Sequence, residues 1–171
     1  RDTACGLVQI PNPLVSVDVR TGFDQSFAIA VAGSVELDGV PTDVVDLARY
    51  EVGRGKLWPA EYIVGEVETV CARAGSEVVY LDGFGDGNGA LVPLLEAAGL
   101  TVVKLNTVDM RNATVRFKDD AINKRFRHVS IPEAPGLDVA VAGAVTKASQ
   151  NGILWNQAKA GVDLTPRSEE H

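Results

Sequence analysis

Two aspartates stand where a carboxylate is out of place. Asp18 interrupts the apolar run LVSVDV at 14–19, and Asp82 closes VVYLD at 78–82, just before the turn GFGDGNGA. An unpaired carboxylate within an apolar strand costs several kcal/mol or takes up a proton, so Asp18 calls for a partner. If the two strands are neighbours, the carboxylates lie roughly 5 Å apart. Like charges that close share a proton or hold a divalent cation. Asp163, at the head of DLTPRSEEH, is a third acid from a separate element. Three carboxylates aimed at one point form the oxygen cage of Mg²⁺/Mn²⁺ phosphodiester chemistry, in which two ions roughly 4 Å apart activate water and stabilise the leaving oxygen. Asp24 and Asp86 are available as accessory ligands. Taken singly, Asp24, Asp86 and Asp163 read better as turn residues or helix caps.

The turn after Asp82 admits a second chemistry. GDGNGA fits the relaxed dinucleotide pattern G-x-G-x-x-A on Gly85, Gly87 and Ala90. Such a loop presents bare N–H groups to a pyrophosphate, which Asp82 and Asp86 would repel. The ribose-binding acid expected at the end of the next strand is missing too, because TVVKLN ends in Asn106. A cation is the better reading, with the glycines admitting an anionic backbone or a hydrated metal. There is no P-loop, H-x-x-x-H, C-x-x-C or G-x-S-x-G, and the histidines are His128 and His171. His128 reads as a structural histidine, and Trp58 and Trp155 as core or rim.

The elements that must position these acids follow from periodicity. Residues 1–13 lack it and form a linker or N-terminal arm. LVSVDV, SFAIAVAGSVEL and PTDVVDLARYEV read as three consecutive antiparallel strands, with Asp38-Gly39 as a hairpin turn. Ile63, Val67, Val70, Cys71 and Ala74 make one helical stripe ending at Gly75. SEVVYLD is a fourth strand, a second helix carries Leu91, Leu94, Leu95 and Ala98, and TVVKLN is a fifth strand. The pattern predicts an amphipathic helix over about 111–125, an apolar helix over about 137–149, a late strand in ILWNQAK and a helix beginning near Asp163. Three strands, then helix, strand, helix, strand, then helices is the order of the RNase H-like α/β fold. Its mixed five-stranded sheet has the first three strands antiparallel, the fourth and fifth parallel, and helices at its flanks. That topology sets the first and fourth strands side by side, and with them Asp18 and Asp82.

With 171 residues, 46% hydrophobic and 23% charged, the chain suits one α/β domain. A net charge of −7 excludes a protein that coats nucleic acid through its positive field, though not a nuclease, whose carboxylates are themselves negative. The basic residues concentrate in Arg111, Arg116, Lys118, Lys124, Arg125 and Arg127, interrupted by Asp119 and Asp120; singly they read as a solvated helix face. Cys5 and Cys71 lack metal-ligand spacing and read as reduced thiols. No apolar run reaches the length of a membrane span and no signal peptide is visible, so a soluble intracellular domain is expected.

Three runs, VSVDVRTGFDQSFAIAVAG, EVVYLDGFGDGNGALVPLLEAAGLTVVKLN and RHVSIPEAPGLDVAVAGAVTKASQNGILWNQAKAGVDLTP, occur in this order. Together they resemble the nuclease domain of the large terminases of tailed bacteriophages, the DNA-packaging motor subunits. The resemblance covers nearly the whole chain from Leu14. It implies an RNase H-like nuclease domain over 14–171, the C-terminal domain of a larger protein with its final helix cut short. It further implies a metal-dependent endonuclease of little sequence specificity that cuts concatemeric viral DNA during genome packaging, using Mg²⁺ or Mn²⁺ in two-ion hydrolysis. By motif, Asp18 matches the first-strand acid, Asp82 the fourth-strand acid, Asp163 the acid heading the last helix and Asp24 a frequent accessory acid. The closing motif departs from the pattern, so Glu169 and Glu170 compete with Asp163 as third ligand. Implied partners are double-stranded DNA, the terminase ATPase domain, the small terminase subunit and the portal, in the host cytoplasm. The alternative is an RNase H-like module without catalysis that clamps DNA or docks a subunit.

Overall fold

A computed structural model describes residues 10–21, 25–83, 87–123, 125–128, 146–149 and 152–155. Strand alternation sets the architecture from the first element. In β1 (Leu14–Arg20), Val15, Val17 and Val19 are buried, while Ser16 and half-buried Asp18 occupy the other face. β2 (Ser26–Leu37) runs antiparallel to it, pairing from Leu14 with Ala32 to Arg20 with Ser26. Asp38 and Gly39, with φ of 51° and 78°, make the primed hairpin turn that their types favour. β3 (Val40–Val52) then returns along β2, with a bulge that inserts Ala48 between the partners of Ile29 and Ala30.

α1 (Ala60–Ala74) begins after Pro59, which stands at the N-cap, and stops at Gly75, whose φ of 72° supplies the left-handed cap. β4 (Val78–Asp82), α2 (Asn88–Ala97), β5 (Thr101–Leu105) and α3 (Thr107–Ile122) follow, then β6 (Phe126–His128) and a hairpin of β7 (Thr146–Ser149) and β8 (Gly152–Trp155). The main sheet has the order β5-β4-β1-β2-β3-β6. β1–β4 and β4–β5 are parallel, and β1–β2 and β2–β3 are antiparallel. The expected five strands thus hold their expected order, and the short β6 extends the far edge parallel to β3.

One face of the sheet carries the main core: Val15, Val17, Val19, Phe27, Ile29 and Val31 meet Ile63, Val67 and Cys71 of α1 and Leu91 and Leu95 of α2. Phe27 packs edge-to-face on Trp58 at 5.4 Å and on Tyr62 at 6.2 Å, which fixes Trp58 as core rim. Ile10, inside the expected arm, packs against this core. On the opposite face Ala28 and Ala30 are buried, and Met110, Thr114 and Phe117 are the buried residues of α3. No helix among the described residues is long and apolar enough to cross a membrane.

Two expectations change. α3 starts at Thr107 rather than near 111 because Asn106 and Asp109 cap it reciprocally. Asn106 Oδ1 accepts from the N–H groups of Val108 (2.8 Å) and Asp109 (2.9 Å), and Asp109 Oδ2 accepts from the Asn106 N–H (2.9 Å). The apolar helix expected to reach 149 does not do so, since Thr146–Ser149 is a strand paired with Gly152–Trp155. Apolar runs without a clear period do not discriminate helix from strand.

Candidate metal centre

The parallel pairing of β1 with β4 decides where the two aspartates stand. Val15 is level with Val79 and Ser16 with Tyr80. Carried two residues beyond the paired stretch, this register sets Asp18 opposite Asp82, and the alternation of burial puts both on the same face of their strands. Both are half-buried, and both lie toward the C-terminal ends of their strands, opposite the face that buries Val17, Val19 and Leu81.

A third side chain joins them. Asn88, the first residue of α2, is completely buried. Its Nδ2 donates to Asp18 Oδ1 at 3.0 Å and to the backbone carbonyl of Asp82 at 3.1 Å. Its Oδ1 accepts from the Val19 N–H at 2.9 Å. A carbonyl can only accept and a backbone N–H can only donate, so these partners admit a single orientation of the amide. The side chain therefore bridges β1 to β4 just beyond Ser16–Tyr80 and restrains the Asp18 carboxylate in the same stroke.

The glycine turn explains how Asn88 arrives there. Gly87 has φ +86°, and a Cβ on it would come within 2.8 Å of Thr21 Cγ2 and 3.2 Å of Val19 Cγ1. The missing side chain lets the start of α2 press against the end of β1. What approaches Gly87 is the chain's own β1, rather than the metal or anionic backbone that the sequence suggested. Gly83 continues the β4–β5 ladder, its N–H donating to the Leu105 carbonyl at 3.0 Å. Asn106, where a ribose-binding acid would stand, caps α3 instead, which further weakens the dinucleotide reading.

Paired carboxylates are hard oxygen donors of the kind Mg²⁺ and Mn²⁺ prefer, so the donor set fits the expected metal. Among the described residues no group of three or more His, Cys, Asp or Glu could hold a metal ion. Asp24, Asp86, Asp163, Glu169 and Glu170 lie outside the described residues. The structure thus links Asp18 and Asp82 through Asn88, a residue that the sequence pattern does not single out. A cavity of about 490 Å³ lies elsewhere, toward the Leu14 end of β1, lined by Ala32, Asp43, Asn112, Arg116 and Phe117 among others.

The basic strip is partly neutralised. Arg116 meets Asp43 at 3.5 Å and Asp120 at 3.4 Å, and Arg125 lies 3.9 Å from Asp119 and 4.0 Å from Asp120. Cys71 is a buried free thiol, pushed up to about 11 chiefly by burial and in smaller part by the negative charge of Glu68.

No protein-family model matches this sequence, and no curated protein matches it by sequence. Solved structures do. The HK97 bacteriophage large terminase superposes with a TM-score of 0.70 at 16% identity, over 96% of this chain and 40% of that one. The large terminase nuclease of thermophilic phage G20c with bound magnesium gives 0.57 at 14% identity, over 94% of this chain and 79% of that one. A mutant nuclease domain of the large terminase subunit gp2 of bacterial virus Sf6, with manganese and beta-thujaplicinol, gives 0.59 at 12% identity, over 94% and 86%. The chain has the fold of large-terminase nuclease domains. It spans about 40% of the length of the HK97 terminase and most of the length of the two isolated nuclease domains.

Proposed function

We propose that this chain is a divalent-metal-dependent DNA endonuclease, the nuclease part of a phage packaging motor that cuts concatemeric viral DNA. The observation that supports the reading is the Asn88 amide, which donates to the Asp18 carboxylate and to the Asp82 carbonyl across the parallel strands β1 and β4. The terminase nuclease fold supports it, as do the magnesium and manganese bound to the G20c and Sf6 domains.

In this reading Asp18 and Asp82 hold Mg²⁺ or Mn²⁺, with Asp163 as third ligand, Asp24 as accessory ligand and Glu169 or Glu170 as the competitors of Asp163. Two bound ions supply a nucleophile from water near neutral pH and stabilise the departing oxygen of the phosphodiester. The chain's own part is to keep two like charges adjacent on rigid strands before any ion arrives. Pairing along β1–β2 and β4–β5 fixes both backbones, and Asn88 fixes the plane of one carboxylate. The substrate is double-stranded DNA with little sequence preference. The ATPase domain, small subunit and portal of a terminase motor in the host cytoplasm are the partners this function entails.

Nicking of supercoiled plasmid in Mn²⁺, Mg²⁺ or EDTA, with Asp82→Asn alongside, tests the function. Cutting should require the metal and fall by orders of magnitude in the variant while its fold is retained. Cutting that survives Asp82→Asn places the activity elsewhere. A folded, metal-saturated chain that never cuts turns the assignment toward a DNA-clamping or subunit-docking module.

A further inference from the structure

We propose that Asn88 is the positioning residue of the carboxylate pair, setting the orientation of Asp18 and its separation from Asp82, so that metal affinity depends on this amide. The inference rests on the metal-centre reading above and goes beyond it, because Asn88 itself need not touch the ion.

The chemistry of the position is restrictive. Asn88 is completely buried, and both N–H donors of its amide are spent, one on Asp18 Oδ1 and one on the Asp82 carbonyl. Its oxygen takes the Val19 N–H. A neutral donor is what the pair needs: it stabilises Asp18 as a carboxylate through a charge-assisted hydrogen bond without cancelling the negative charge that attracts a cation. A lysine or arginine here would neutralise that charge and compete with the metal. An aspartate would set oxygen against oxygen and lose both donors. A serine or alanine cannot span from Val19 on β1 to Asp82 on β4.

Mn²⁺ binding followed by the electron paramagnetic resonance of the free ion tests this without reference to cleavage. The proteins are the wild-type chain, Asn88→Ala, Asp18→Asn and the double variant, with urea unfolding measured on each. Removal of a group that orients a metal ligand typically weakens binding by about 10–100-fold, and Asn88→Ala should fall in that range. In the Asp18→Asn background the same substitution should change Mn²⁺ affinity by less than about twofold, since the carboxylate it orients is gone. If Asn88→Ala does not fold, Asn88→Ser, which keeps a hydroxyl but cannot bridge the strands, carries the same expectation. Unchanged Mn²⁺ affinity in Asn88→Ala or Asn88→Ser overturns the inference and leaves the metal centre standing. Equal weakening in both backgrounds also overturns it, reducing Asn88 to a strand clasp. A wild-type chain that binds no Mn²⁺ removes the metal-centre reading and this inference with it.

Discussion

Gly87 and Gly89 flank Asn88, and the structure asks opposite things of them. At Gly87 the backbone is left-handed, and a Cβ would press on Thr21 and Val19, so Gly87→Ala meets strain and a clash together. It should lower stability by roughly 1–3 kcal/mol and displace the Asn88 amide with it. At Gly89, inside α2, a Cβ meets nothing within 4 Å, so Gly89→Ala should be neutral or raise stability by about 0.5 kcal/mol. Urea midpoints of the two variants check the contrast, and equal losses would show that the turn does not impose this geometry. The same neighbourhood shows what single residues disclose in advance. Asp18 was legible because a carboxylate in an apolar strand needs an explanation, and Asp82 because it ends a strand facing the same edge. Asn88 was not legible, since an asparagine among glycines has the composition of any turn; only strand pairing brings Val19, Asp18 and Asp82 within reach of one amide.

At the scale of elements, β3 carries a buried charge that the proposed chemistry does not use. Asp46 is level with Val31, on the core side of the sheet, and only 9% exposed. Burial raises its carboxyl above the usual value of 3.8, and a hydrogen bond from the Leu47 backbone lowers it only in part. Because the folded-state value is the higher one, the favourable contribution is complete below about 3.8 and is lost as pH rises through the raised value. Asp46→Asn should therefore raise the urea midpoint at pH 7, with a gain that shrinks as the pH approaches 4 and carboxyls protonate in both states. A gain of equal size at both pH values would mean that ionisation is not its cause. β1 to β5 and α1 were legible because they are compact apolar runs or a single helical stripe, bounded by turn residues such as Gly75 and Asp38-Gly39. The later elements were harder to read. The start of α3 depended on a side-chain cap between Asn106 and Asp109, and the strand at Thr146–Ser149 ends an apolar run that has no period of its own.

For the whole molecule the difficulty under the proposed function is electrostatic, since a chain of net charge −7 would have to bring two carboxylates to a polyanion. Exposed charges beyond about 10 Å are screened at ordinary salt, so the local surface matters more than the total. Near α3, Arg116 and Arg125 are already engaged with Asp43, Asp119 and Asp120. Under the proposed function, cations held by Asp18 and Asp82 would turn the negative edge into one that accepts phosphate, and duplex binding by this chain should depend on them. Fluorescence anisotropy of a labelled duplex should show binding in Ca²⁺, chosen to occupy oxygen ligands, and little in EDTA at the same ionic strength. Asp18→Asn should lose most of the Ca²⁺-dependent part. The remaining affinity should fall with salt along a shallow slope, because few phosphates are neutralised by side chains. Tight binding that persists in EDTA and ignores Asp18→Asn would place the DNA on another surface. In that event the fold serves as a clamp, and the aspartate pair is a structural relic of the nuclease architecture rather than its working centre.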